Sequence, residues 1–63
     1  MTIPKQIRRA RENAGLIQRR AAEALDISYV HLCCVENGEH KPSLKLLQAM
    51  AKLYKTTFIV GTS

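Results

Sequence analysis

The sequence contains few aromatic rings and few residues that interrupt a helix. Its 63 residues include no tryptophan, one phenylalanine and two tyrosines, with three glycines and two prolines. A core with so few rings has to be built from alanine, leucine and isoleucine. A chain of this length buries only about 60% of the surface that its unfolded form exposes. We therefore expect one small domain, residues 1–63, whose stability gains from a partner.

Long apolar runs are also missing. No stretch approaches the ~20 apolar residues that span a bilayer. The start of the chain, MTIPKQIRRARENAG, becomes charged almost at once and lacks the apolar segment of a signal peptide. Neither membrane insertion nor secretion is predicted, and we expect a cytoplasmic location in which the cysteines stay reduced.

Acidic residues are half as numerous as basic ones. Ten lysines and arginines against five aspartates and glutamates give a formal net charge of +5. This charge on a small body indicates a polyanionic partner, with nucleic acid as the first expectation and an anionic membrane surface or simple solubility as the alternatives. The sequence has neither a carboxylate pair nor a glycine-rich phosphate loop. No enzymatic activity, small-molecule substrate or cofactor is therefore predicted.

The two cysteines, Cys33 and Cys34, are neighbours in the segment LCCVENG. Adjacent residues of a helix point about 100° apart, so the two thiols do not face one metal ion. Cys34 with His31 and His40 is one ligand short of a tetrahedral site, and no metal site is predicted. Two interpretations remain open. The thiols sense oxidation at an exposed surface, or they are small side chains that allow a close approach to a DNA groove.

Periodic apolar positions and capping residues predict short helices separated by turns. Gly15 and Gly38 each follow a helix as a left-handed cap, and Asp26 stands at a turn where the left-handed conformation is needed. Ser28 and Ser43 are suitable N-caps. Four helices are predicted, over residues 3–14, 18–25, 29–37 and 44–55, followed by a tail that is either a short fifth helix or a strand.

Two helices joined by a tight turn, over about residues 18–37, form the arrangement of a helix-turn-helix. The residues around it resemble the phage-repressor and Cro type of helix-turn-helix domain, also called the xenobiotic-response-element type, over roughly residues 7–54. The resemblance implies an all-α fold, a compact lambda-repressor-like bundle of four to five helices that binds DNA, usually as a dimer. It is carried by Arg11, Gly15, Leu16, Gln18, Ala22, Ile27, Ser28, Val35, Glu36, Asn37, Gly38, Pro42, Ser43 and Leu44.

Three features depart from the family pattern. Ile17 stands where the family usually has serine or threonine, and Asp26 stands where it usually has glycine. Both changes are expected to lower local stability slightly. The outer face of the third helix is uncharged, whereas the family usually places polar or basic residues there, and this bears on how DNA sequence is read.

The outward face of the third helix is the expected reading surface. With Leu32 at the centre of the buried face, Val30 and Cys34 point away from the core. The resemblance assigns base reading to Ser28, Tyr29, Val30 and Cys34. It assigns contacts with the DNA backbone to Gln18, Asn37, His40, Lys41, Ser43 and Lys45. Val30 and Cys34 suit thymine methyl groups, and because bidentate donors are scarce, specificity is expected to depend partly on DNA shape.

Two further sets of residues have structural roles. The resemblance pairs Arg11 with Glu36 across the first and third helices, and the helical projection places both at the edge of the core. The fourth helix carries an apolar band too wide for one packed neighbour, so it is expected to contribute to a homodimer interface, although part of the band can instead close the monomer core. The expected interface residues are Leu46, Met50, Leu53, Phe58, Ile59 and Val60.

The sequence thus predicts a sequence-specific transcriptional regulator, a repressor that binds a two-fold operator as a homodimer with its third helix in the major groove. The alternative is a protein-interaction module on the same fold, of the antitoxin or anti-repressor kind. Its support is the uncharged outer face of the third helix.

Overall fold

The computed structural model describes residues 2–58, and this part of the chain forms helices and no strand. Four helices follow one another: α1 (Ile3–Asn13), α2 (Gln18–Leu25), α3 (Tyr29–Asn37) and α4 (Leu44–Tyr54). The predicted all-α fold is confirmed. None of the described helices is both long and apolar enough to cross a membrane.

α1 ends at Asn13, one residue before the predicted end, whereas α2 begins and ends where the sequence predicts. Pro4 lies in the first turn of α1, where its missing N–H is not needed. Gly15 follows that helix with a φ of +74°. Asp26 ends α2 in the left-handed conformation, with a φ of +58°. These local signals fix the entry to the α2–α3 turn.

The third and fourth helices begin at serine caps and end at left-handed residues. The Ser28 hydroxyl accepts a hydrogen bond from the His31 backbone N–H at 3.0 Å, and Gly38 ends α3 with a φ of +83°. α4 ends at Tyr54, one residue before the predicted end. The reason is that Lys55 takes the left-handed conformation, with a φ of +53°.

The core lies where the four helices meet. Small alanines of α2 allow α3 to approach closely, and Tyr54 supplies the aromatic ring among the buried side chains. An aliphatic core is what the scarcity of aromatic residues predicts. The largest fully buried side chains are Ile7, Leu32, Val35 and Met50.

Met50 is a core residue and not a surface residue. Its side chain is 0% exposed in the monomer, so it offers no area to a partner, and its expected role in a dimer interface is corrected. The band on α4 is wide because its centre closes the monomer core, which is the alternative that the sequence left open. Leu46, Leu53 and Phe58 are half-buried against that core, whereas Ile59 and Val60 lie outside the described residues.

The remaining members of the expected dimer interface lie on different sides of α4. Leu46 lines a depression beside Ile27 of the α2–α3 turn, whereas Phe58 lines a groove with Leu44 and Leu47. Residues 56–58 form neither a helix nor a strand. The structure therefore does not bring Leu46 and Phe58 into one surface.

Candidate nucleic-acid interface

A short turn sets α3 against α2. The left-handed backbone at Asp26 lets the Ile27 N–H reach the Ala22 carbonyl at 3.0 Å, and the Ser28 cap then starts α3. α2 itself begins after Ile17, whose backbone is extended but whose side chain caps nothing. The first N–H groups of α2 therefore remain free to bind an anion such as a phosphate.

An ion pair between α1 and α3 holds the third helix in place. Arg11 Nε and Nη2 donate to the two carboxylate oxygens of Glu36 at 2.7 and 3.2 Å, and Arg11 Nη1 donates to the Leu16 carbonyl at 2.8 Å. Burial lowers the pKa of Arg11, but the hydrogen bond and negative charge of Glu36 outweigh it, so the pKa is raised overall. The structure brings together the two residues that the sequence pairs.

Gln18, which the sequence places at a phosphate, turns its amide into the domain. Its Nε2 donates to Glu36 Oε1 at 3.0 Å, and its Oε1 accepts from the Cys33 thiol at 3.6 Å. The side chain therefore joins α2 to α3. The backbone N–H of Gln18 lies in the first turn of α2, where N–H groups have no acceptor within the helix.

The outer face of α3 is apolar and open at its N-terminal half. Val30 is 67% exposed and Tyr29 is 51% exposed, while the exposed Ser28 uses its hydroxyl oxygen as a cap. Cys34, expected to point directly away from the core, is half-buried. The chain folds back over the end of α3 there, since the His40 N–H bonds to the Cys34 carbonyl at 3.3 Å.

The residues expected at the DNA backbone surround the C-terminal end of α3. The Ser43 hydroxyl accepts from the Leu46 N–H at 3.1 Å and caps α4. The rings of His31 and His40 meet edge to face with centroids 6.1 Å apart, which places the loop beside α3. All the expected backbone-contact residues of this region are exposed, namely Asn37, His40, Lys41, Ser43 and Lys45.

Sequence reasoning missed the role of Cys33. Its thiol is half-buried and bonded to Gln18, and a hydrogen bond with Cys33 is the largest cause that raises the pKa of Tyr29. The signal was the i, i+4 spacing of Tyr29 and Cys33 on one helix face. Within residues 2–58, no three histidine, cysteine or acidic side chains lie close enough to hold a metal ion.

Comparison with known proteins gives a family match. The family model described as helix-turn-helix matches residues 7–59, which include α2, the turn, α3 and the ion pair. No curated protein and no solved structure matches the chain.

Proposed function

We propose that this chain, which belongs to the Cro/C1-type helix-turn-helix family of DNA-binding regulators, is a transcriptional repressor. In this proposal it binds a two-fold operator as a homodimer, with one α3 in each of two successive major grooves. The observation that carries it is the open N-terminal half of α3, where Tyr29 and Val30 protrude from a helix that the buried Arg11–Glu36 pair orients.

Base reading is assigned to Ser28, Tyr29 and Val30, with Cys34 at the margin because it is half-buried. Val30 and the Tyr29 ring present apolar surface to thymine methyl groups, and the Tyr29 hydroxyl is a hydrogen-bonding group on this face. The scarcity of bidentate donors makes the remaining specificity depend on DNA deformability.

Contacts with phosphates are assigned to two places, one before α3 in the chain and one from its end onwards. One is the uncapped start of α2 at Gln18, which offers backbone N–H groups. The other is the exposed set Asn37, His40, Lys41, Ser43 and Lys45. Contacts of this kind fix the register of the protein on the duplex, and the net charge of +5 favours them.

The dimer interface is assigned to the groove of about 230 Å³ between α4 and residues 56–58. Leu44 at its edge is 71% exposed, and Leu47 and Phe58 form its apolar wall. Covering an exposed leucine of this kind stabilises an assembly by about 1.5–3 kcal/mol per side chain.

The test is selection of bound sites from random double-stranded DNA, followed by titration of the selected site against salt. We expect a recurrent two-fold site and a log–log slope of about −0.9 per phosphate contacted. Val30→Glu should weaken binding about tenfold or more, since a carboxylate enters the groove. Ala14→Glu, which adds the same charge at an exposed position that follows α1, should change it much less. Equal losses in the two variants contradict the assignment of α3.

The protein-interaction alternative rests on one observation, the exposure of Val30 and Tyr29 on an uncharged face. A module of this kind binds protein through α3 and needs no DNA. Absence of DNA affinity at low salt, with wild-type folding intact, favours it over the repressor.

A further inference from the structure

An apolar cavity lies between the start of α1 and the loop that follows α3. Its volume is about 400 Å³, within the range of about 300–1,000 Å³ that small-molecule sites occupy. At ~30 Å³ for each water-sized group, it has room for roughly ten to fifteen non-hydrogen atoms. Its apolar walls come from α1, the loop and α4, namely from Ile3, Pro4, Pro42 and Leu47.

Two prolines and a glycine shape this cavity. Neither proline carries a backbone N–H, so the walls that they form offer no hydrogen-bond donor. Gly38, which ends α3 in the left-handed conformation, lies against Pro4, since a Cβ atom at Gly38 would come within 3.5 Å of the Pro4 Cγ atom. The end of α3 and the start of α1 therefore meet at one wall of the cavity.

The polar side chains at the cavity are those of His40 and Lys41. No aspartate or glutamate is among the described residues that line it, and the ion pairs within residues 2–58 are formed by other side chains. The loop is held in place because the His40 N–H bonds to the Cys34 carbonyl at 3.3 Å and the His40 ring meets the His31 ring. An apolar cavity with a cation at its rim is complementary to an amphipathic anion.

We propose that this cavity binds a small amphipathic carboxylate, with its apolar body between Pro4 and Leu47 and its carboxylate at Lys41, and that the bound ligand weakens DNA binding. The carboxylate accepts charge-assisted hydrogen bonds from the Lys41 ammonium and a ring N–H of His40. The site is independent of the proposed function, whereas its effect on DNA rests on that function.

Competition for the same cation couples the ligand to DNA. His40 and Lys41 are among the residues assigned to the DNA backbone, so a ligand at the cavity engages the groups that a phosphate needs. The ligand carboxylate also adds a negative charge beside that phosphate, and like charges at such a distance repel. By linkage, DNA weakens ligand binding by the same factor as the ligand weakens DNA binding.

The first experiment titrates octanoate into the full chain without DNA, followed by calorimetry and methyl NMR. From butanoate to octanoate, affinity should rise about three- to fourfold per methylene, because each one is buried against an apolar wall. Shifts should centre on the methyl groups of Ile3. Shifts centred on Leu44 or Phe58 place the ligand in the groove assigned to the dimer and contradict the proposal.

A neutral ligand and two lysine variants test the charge. 1-Octanol should bind the wild type about tenfold more weakly than octanoate does, and Lys41→Gln should remove that difference. Lys45→Gln should keep it, since Lys45 is also exposed and assigned to the DNA backbone but lines a different depression. Equal affinity for octanoate and 1-octanol in the wild type means that the cavity selects apolar surface alone, as a side chain of another protein supplies, and overturns the proposal.

The second experiment measures affinity for one half of the selected operator, where dimer assembly has no part, with saturating octanoate or sodium chloride of equal ionic strength. Octanoate should weaken binding by the wild type and by Lys45→Gln about 5- to 10-fold. It should not change binding by Lys41→Gln, which is weaker from the outset. Octanoate that binds the wild type without changing its DNA affinity overturns the coupling. If the wild type binds no DNA, the proposed function and the coupling fail together, and the octanoate titration still decides the ligand site.

Melting curves separate specific binding from denaturation by an amphiphile. A ligand that binds only the folded chain raises the melting temperature as its concentration rises. Octanoate should therefore stabilise the wild type and Lys45→Gln more than it stabilises Lys41→Gln. A melting temperature that falls in all three proteins means that octanoate prefers the unfolded chain, and it contradicts the proposed site.

Discussion

At the scale of single residues, the buried Arg11–Glu36 pair joins α3 to the rest of the domain. The guanidinium contacts both carboxylate oxygens and the Leu16 carbonyl, so one side chain links α1, the loop before α2, and α3. Because Gln18 shares the same carboxylate, α2 is tied in as well. Removing one partner of such a pair leaves an uncompensated buried charge, whereas replacing both partners with apolar residues is often nearly neutral.

Arg11→Met should unfold most of the protein at room temperature. It leaves Glu36 charged and 1% exposed, at a cost of about 3–5 kcal/mol, which is close to the whole stability of a domain this small. Adding Glu36→Leu should restore most of the loss, measured by urea denaturation followed by circular dichroism. Arg8→Met, which breaks only the exposed 4.0 Å pair with Glu12, serves as the control. Similar losses at Arg8 and Arg11 refute the argument.

Tyr54→Phe should stabilise the protein by about 1 kcal/mol at pH 7. Among the described residues the buried Tyr54 hydroxyl has no hydrogen-bond partner. Burial, then the charge of Glu36, raises its pKa to about 12, above the ordinary value near 10. Because the phenol resists ionisation in the folded state, this group leaves wild-type stability unchanged below pH 10 and lowers it as pH rises through 12. The gap between Tyr54→Phe and wild type should widen over that interval in urea titrations, and a constant gap contradicts the assignment.

At the scale of helices, the local signals predict each boundary to within one residue but do not determine every buried face. Gly15, Ser28 and Gly38 act through their own backbone or the next turn, so their effects are readable from the sequence. The sequence does not show which part of the apolar band on α4 is buried in the monomer, because Met50 is buried by neighbours far away in the chain. The inward turn of the Gln18 amide likewise depends on Glu36, eighteen positions away.

Ile17→Ser should raise the free energy of unfolding by about 1 kcal/mol. The backbone at Ile17 (φ −81°, ψ 160°) nearly repeats that of the effective cap Ser28 (φ −72°, ψ 153°). The isoleucine side chain is 62% exposed, so its removal costs little packing. Ile17→Ala removes the same side chain without adding an acceptor, and Ser28→Ala should lose about what Ile17→Ser gains. A serine variant no more stable than the alanine variant in chemical denaturation argues against an available cap.

At the scale of the whole molecule, the proposed function requires a second copy. The monomer measures 33 × 23 × 18 Å and presents one α3, whereas two half-sites on one face of the duplex lie about 34 Å apart. The exposed Leu44 and the groove beside it provide an apolar surface that is separate from α3. DNA reading is thus assigned to α3 and dimer assembly to the groove beside α4. A substitution can therefore alter one of these functions without the other.

Binding to a complete two-fold operator should exceed binding to one half-site by about 100-fold or more, since the second contact becomes intramolecular. Inserting half a helical turn of DNA between the half-sites should abolish the gain, because the two reading helices then face opposite sides of the duplex. Leu44→Gln, a neutral change at a side chain 71% exposed in the monomer, should abolish it too while leaving half-site affinity and melting temperature near wild type. Fluorescence anisotropy with labelled duplexes measures the affinities for the whole operator, the half-site and the lengthened operator. Equal affinity for whole and half operators in the wild type means that each copy binds alone, and the assigned dimer interface is then wrong.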